Sequence, residues 1–137
     1  AAADIAGQAR EMFQSLDGDT ASRDQMMHFL NAMDVYLKCA LAGRRYDVIK
    51  EGIRATGAVA EQFNRSSDQP LDRLDLIVLN VYNVVVLAHS GNRKKATDEA
   101  RILLTDVFQD ENAWKIHDFD YKKELLESML KEDDGCR

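Results

Sequence analysis

Residues 71–89 read LDRLDLIVLNVYNVVVLAH, and this stretch decides the predicted fold. Its centre, residues 76–87, is apolar on nearly every side, which is typical of a helix buried in a protein core. The β-branched residues also permit a strand, but roughly 20 residues without a turn signal are too many for an ordinary strand. We therefore predict a buried central helix. Asn80 and Asn83 would then need partners in a neighbouring helix or a water, because an unpaired buried amide costs about 1–3 kcal/mol.

Apolar residues recur at three- and four-residue spacings on both sides of this stretch, which predicts further amphipathic helices. The segments with this spacing are residues 4–16, 22–41, 46–63, 96–108 and 125–130. Ser22 is a good N-cap for the second segment, with Gln25 as its capping-box partner. Gly43 is expected to end that helix, and Gly91 to end the central one.

These elements predict an all-α fold. Short connections between long helices favour antiparallel neighbours, so we expect an up-down helical bundle of four long helices with short flanking helices. A chain of 137 residues has the size of one domain. We expect a single helical domain over residues 1–137, with a core bundle over about 20–131 and a polar tail at 132–137. Small residues such as Gly52 and Gly57 should let a neighbouring helix approach closely.

Composition limits the classes of function. A net charge of −6 argues against a nucleic-acid-binding surface, because phosphate binding needs a strong basic patch. The sequence shows neither a signal peptide nor a membrane-length apolar run, which predicts a cytoplasmic protein with no membrane partner. Cys39 and Cys136 are far apart, so a disulfide framework is not expected.

The sequence also lacks recognisable catalytic motifs. The chain has three histidines, His28, His89 and His117, and none stands in a metal-ligand spacing such as HExxH. No phosphate-binding glycine loop or nucleophile elbow is present. His117 and Asp118 could gather a cation or move a proton, but they also fit the start of a helix. We expect no metal site, no cofactor and no enzymatic activity.

Two basic segments follow helix-ending glycines, although the chain is acidic. In an alternating bundle both segments would fall at the same end of the molecule. Cations at a helix N-terminus oppose the helix dipole, which favours an anionic partner there, although ordinary solvated loops remain an alternative. The candidate basic residues are Arg44, Arg45, Arg93, Lys94 and Lys95.

Short motifs along residues 20–116 resemble the flagellin-export chaperone family. They are Thr20-Ala21-Ser22, Ala42-Gly43-Arg44, Phe63-Asn64, Leu79-Asn80-Val81-Tyr82 and Trp114-Lys115-Ile116. The position after the helix-opening serine, a proline in that family, is Arg23 here. The resemblance implies a compact antiparallel bundle that wraps a helical end of an exported subunit. Leu87, Gly91 and Ala96 are similar to the tetratricopeptide pattern, which implies a protein-binding helical scaffold.

The sequence therefore predicts a non-enzymatic protein-binding helical module. The first hypothesis is a chaperone or adaptor that holds an amphipathic helix of a partner protein in an apolar groove. The alternative is a tetratricopeptide-like or α-solenoid fragment that acts as a scaffold in a larger assembly. The candidate groove residues are Met26, Met27, Phe29, Met33 and Tyr82, some of which should be accessible to solvent.

Overall fold

A computed structural model describes residues 22–135, with side chains as far as Lys131. Every regular element in this range is helical, so the all-α prediction is confirmed for it. The elements are α1 (Arg23–Ala42), α2 (Tyr46–Ser66), α3 (Ile77–His89), α4 (Arg93–Ile102), a π-helical turn (Leu103–Val107), a 3₁₀ turn (Ala113–Lys115) and α5 (Phe119–Gly135). None of the helices in residues 22–135 is long and apolar enough to cross a membrane. The predicted helix at 4–16 and Cys136 lie outside the described residues.

The chain divides into two compact units, Ala1–Asp75 and Leu76–Arg137. In the first unit α1 packs against α2, and in the second α4 packs against both α3 and α5. Helices α3 and α4 have 13 and 10 residues, whereas α5 has 17. The last helix is thus longer than both, although a short flanking helix was expected there.

The predicted ends of α1 are confirmed. The Ser22 hydroxyl accepts a hydrogen bond from the Gln25 amide at 3.2 Å, and the Gln25 side-chain oxygen accepts one from the Ser22 amide at 2.8 Å. This reciprocal pair is the capping box that the sequence indicated. Gly43 ends the helix, with its amide bonded to the Cys39 carbonyl.

Close packing of α1 and α2 depends on Gly52. A Cβ atom at this position would lie 2.8 Å from Cδ2 of Leu37, which is closer than carbon atoms normally approach. The expected close approach therefore occurs at Gly52. It does not occur at Gly57, where an added Cβ would meet nothing within 4 Å.

Arg23 connects the start of α1 to the segment before α3. One guanidinium nitrogen lies 2.6 Å from Oδ2 of Asp75, and the other lies 3.4 and 3.3 Å from the carbonyl oxygens of Gln69 and Pro70. A guanidinium can serve several acceptors at once because its donors form a planar fork. Arg23 therefore has a structural role in the first unit.

The segment before α3 is held by side-chain bonds to the backbone. Oδ1 of Asn64 accepts from the Leu71 amide at 2.7 Å. Asp72 and Asp75 each accept from the other's amide at 3.0 Å. Such local bonds compete with helix formation, so α3 begins at Ile77 rather than near Leu71.

Helix α3 is buried on one side only. Asn80 and Asn83 are both exposed, so the expectation that their amides need partners within the core is wrong. The two residues lie three apart and share a face, where water can satisfy them. The buried residues of α3 are Ile77, Val78, Val81, Tyr82, Val84 and Val85.

Alanine substitutions at the two glycines of α2 should have opposite effects. Gly57→Ala should raise the free energy of unfolding by about 0.5–1 kcal/mol, because alanine favours helix and meets no obstacle. Gly52→Ala gains the same helix propensity, but its Cβ forces Leu37 to move. Such overpacking typically costs about 1–3 kcal/mol, so the free energy of unfolding should fall. Urea denaturation followed by circular dichroism measures both. Equal stabilisation by the two substitutions would contradict the close approach at Gly52.

Removal of the Arg23 guanidinium should destabilise the first unit. We expect Arg23→Met to lower the free energy of unfolding by about 1–2 kcal/mol, and Arg23→Lys to recover only part of this, because an ammonium cannot fork between the acceptors. A double-mutant cycle with Asp75→Asn isolates the ion pair. Arg54 forms an ion pair with Glu51 on the exposed surface of α2, so the same cycle there is the matched control. Coupling at Arg23 no larger than at Arg54 would exclude the structural role.

Candidate partner-binding surface

The predicted groove residues lie mostly in the core. Met26, Phe29 and Met33 are buried on α1, and Tyr82 is buried on α3 in the second unit. Met27 is half-buried and is the one member of the set that solvent reaches. A partner can therefore contact Met27 in this conformation, whereas the other four side chains pack inside the protein.

The predicted basic residues are exposed and fall in different units. Arg44 and Arg45 lie in the first unit between α1 and α2, and Arg44 has a left-handed backbone with φ of 55°. Arg93, Lys94 and Lys95 form the first turn of α4, which contains no acidic residue and has no side-chain cap. Each group thus stands at a helix start. That the two groups form one basic end remains a prediction.

Two large apolar side chains are exposed among residues 22–131, and both belong to the second unit. Ile102 is 46% exposed at the end of α4, and Trp114 is 73% exposed in the 3₁₀ turn. Sequence reasoning did not assign either to a binding site. The exposure of Ile102 could have been predicted from its position on the helix. Ala100 and Leu103 lie on the buried side, and Ile102 falls beside that side rather than on it. Trp114 is followed by Lys115 and has no periodic apolar neighbours that would mark it as core.

Trp114 is presented by a tightly hydrogen-bonded segment, residues 110–116, which we name the Trp114 turn. The amide of Ala113 donates to the carbonyl of Asp110, that of Lys115 to Asn112, and that of Ile116 to Ala113, each at 3.0 Å. Oδ1 of Asp110 also accepts from the Asn112 amide at 2.8 Å. This ladder fixes the backbone on both sides of the indole.

The same turn is anchored by its buried side. Ala113 and Ile116 are both buried, whereas Trp114 and Lys115 between them are exposed. Residues three apart lie on the same side of a 3₁₀ helix, so Ala113 and Ile116 share the inner side of the turn. Burial of these two residues places Trp114 outward.

Contacts beyond the turn hold its two ends together. The rings of Phe108, before the turn, and Phe119, after it, have centroids 5.3 Å apart. Lys122 on α5 is only 1% exposed, and its ammonium donates to the carbonyl of His117. Its amide donates to the carbonyl of Asp118 at 3.0 Å. His117 and Asp118 thus lie directly before α5, and a role in gathering a cation or moving a proton stays a prediction.

The exposed side of the turn combines aromatic surface with charge. Nζ of Lys115 lies 5.4 Å from the centroid of the Trp114 ring, within the range of a cation–π interaction. Glu111 is exposed and stands three residues before Trp114 in the same turn. These groups can bind a complementary surface through apolar area, ring electrons and charge.

The ion pair between Arg54 and Glu51 on α2 is exposed to solvent. The pKa of Glu51 is lowered because its carboxylate accepts a hydrogen bond from Arg54, with the attraction between the opposite charges adding to the effect and desolvation opposing it. Both side chains are exposed on α2. A single exposed pair of this kind contributes little to stability or chemistry.

Comparisons of the chain with protein-family models, with curated proteins and with solved structures give no match. Function is therefore inferred from the residues of the Trp114 turn and their surroundings.

Lys122→Met should loosen the Trp114 turn while preserving the length of the buried side chain. Loss of the bond to the His117 carbonyl should lower the free energy of unfolding by about 1–3 kcal/mol. Exchange of the Lys115 and Ile116 amide protons should accelerate, because the end of the turn is no longer held. Lys131→Met, at an exposed position of α5, is the control and should change neither quantity. If exchange in the turn is unchanged in Lys122→Met, Lys122 does not position it.

Proposed function

We propose that this chain is a non-enzymatic helical module that binds another protein, as a chaperone or adaptor that holds an amphipathic helix of its partner. The observation that supports this most strongly is Trp114, which is 73% exposed on a hydrogen-bonded turn. Tryptophan is enriched among the residues that dominate binding energy at protein interfaces. The apolar face of a partner helix would cover the indole and remove it from water.

Other exposed groups support a helix as the bound element. Ile102 offers a second apolar contact in the same unit. Lys94 and Lys95 are exposed at the start of α4 and would pair with acidic residues at one end of the partner helix. The proposal includes a cytoplasmic location and an up-down arrangement of the helices.

The alternative function is a scaffold fragment of a larger helical assembly. One observation favours it. Helices α3 and α4 pack against each other and are joined by a short turn in which Gly91 has φ of 90°. Helix–turn–helix pairs are the units that stack in α-solenoids. In that case the exposed faces of the chain would join neighbouring helices of the same assembly.

Peptide binding tests the first proposal, because Trp114 is the single tryptophan of the chain and reports on its own surface. The probe is an uncharged amphipathic peptide of about 18 residues with leucines at i, i+3, i+4 and i+7. We expect a saturable shift of the Trp114 emission to shorter wavelength as the ring leaves water. In anisotropy measurements with labelled peptide, Trp114→Ala should weaken binding at least about tenfold.

Two controls make this result specific. A peptide of the same composition with its leucines dispersed should not bind, since it has no apolar face. Thr105→Ala, an exposed position in the same unit, should leave the affinity unchanged. Equal binding of both peptides, or equal binding by wild type and Trp114→Ala, would reject Trp114 as the contact. Self-association in light scattering without peptide binding would favour the scaffold function.

A further inference from the structure

The ammonium group of Lys115 already lies over the Trp114 ring in this structure. Nζ of Lys115 lies 5.4 Å from the ring centroid, and both side chains are exposed. The face of an indole attracts positive charge because its π electrons make it negative. Lys115 is exposed, so a cation from another molecule can take its place on the ring.

The segment that carries the ring is mainly acidic. Four acidic residues, Asp110, Glu111, Asp118 and Asp120, are exposed between residues 110 and 120, against one lysine in the same segment. Oδ1 of Asp110 is bonded within the turn. Glu111 forms no ion pair within the described part of the chain, and it is exposed three residues before Trp114 in the same turn. An incoming cation would therefore find both a ring and a carboxylate.

We propose that the Trp114 turn recognises a positively charged side chain, arginine or lysine, on the polar face of the partner helix. The ring accepts the cation, Glu111 supplies the opposite charge, and Lys115 is displaced on binding. This inference rests on the proposed function and names the chemistry of its partner. An acidic partner could pair with Lys115, but it would face the surrounding carboxylates, which disfavours it.

Three labelled peptides with the same length and leucine face test the proposal. Their polar faces carry arginine, glutamine or glutamate. We expect the arginine peptide to bind most tightly and the glutamate peptide least. Raising the salt to about 1 M, where charges are screened beyond about 3 Å, should reduce the difference between them. The glutamine peptide should be almost insensitive to salt.

Three substitutions at exposed positions separate the contributions of the ring, the Glu111 carboxylate and the Lys115 ammonium to binding of the arginine peptide. Trp114→Leu keeps apolar area but removes the ring, so it should weaken the arginine peptide about two- to fivefold more than the glutamine peptide. Glu111→Gln should weaken the arginine peptide selectively. Lys115→Met removes the internal competitor and should strengthen arginine-peptide binding about two- to fivefold. Circular dichroism and urea midpoints establish that each variant is folded.

Lys115→Met gives the decisive outcome, because the opposing hypotheses predict opposite signs. Weaker binding in this variant, or tightest binding of the glutamate peptide, would show an acidic partner and overturn the inference. Equal affinity for all three peptides would show apolar recognition only and would also overturn it. In those cases the proposed function survives, because the glutamine peptide still binds. If none of the peptides binds, both proposals fail.

Discussion

Backbone groups that lie outside a helix must still find hydrogen-bond partners, and this requirement fixes the connections of the chain. In the first unit the amide of Leu71 donates to the side-chain oxygen of Asn64. Arg23 donates to the carbonyl oxygens of two residues in the loop just before Leu71. In the second unit Lys122 serves the carbonyl of His117. These bonds join residues between 5 and 47 positions apart in the sequence, and each one satisfies a backbone group that lies outside the helices. The exposed Trp114 turn is a product of the same constraint.

Local signals were sufficient for part of the fold. The capping box at Ser22 and the stops at Gly43 and Gly91 involve residues within a few positions of one another, and the structure contains them as predicted. The helical class follows in the same way from apolar spacing. Asn80 and Asn83 were misjudged because an apolar count does not show which side of a helix faces water. Their spacing of three, read as a shared face, was the missed signal.

The candidate site was less accessible to sequence reasoning, because burial depends on contacts between distant residues. Met26 and Tyr82 satisfy a binding-groove pattern and a core pattern equally well, and the structure buries both. Lys122 is a charged residue in a polar helix, yet it is buried because its ammonium meets the His117 carbonyl. Trp114 stands outside the periodic apolar patterns, so the sequence did not decide whether it is buried. Its exposure follows from the burial of its neighbours on the turn, which only the folded chain determines.

A fixed backbone changes what an exposed indole can contribute to binding. Association loses free energy when mobile side chains and loops must be ordered, at about 0.5–1.5 kcal/mol for each immobilised side chain. In the Trp114 turn the backbone is already held by its ladder of bonds and by the ring contact of Phe108 with Phe119. Little of the turn's backbone remains to be ordered on binding, and displacement of Lys115 from the ring adds a cost of about 0.5–1 kcal/mol. That cost is recovered when the incoming group is itself a cation, because the ring–cation interaction is exchanged rather than lost. The proposed recognition of a positive charge therefore rests on a backbone that is already ordered and on a ring that is exposed enough to exchange one cation for another.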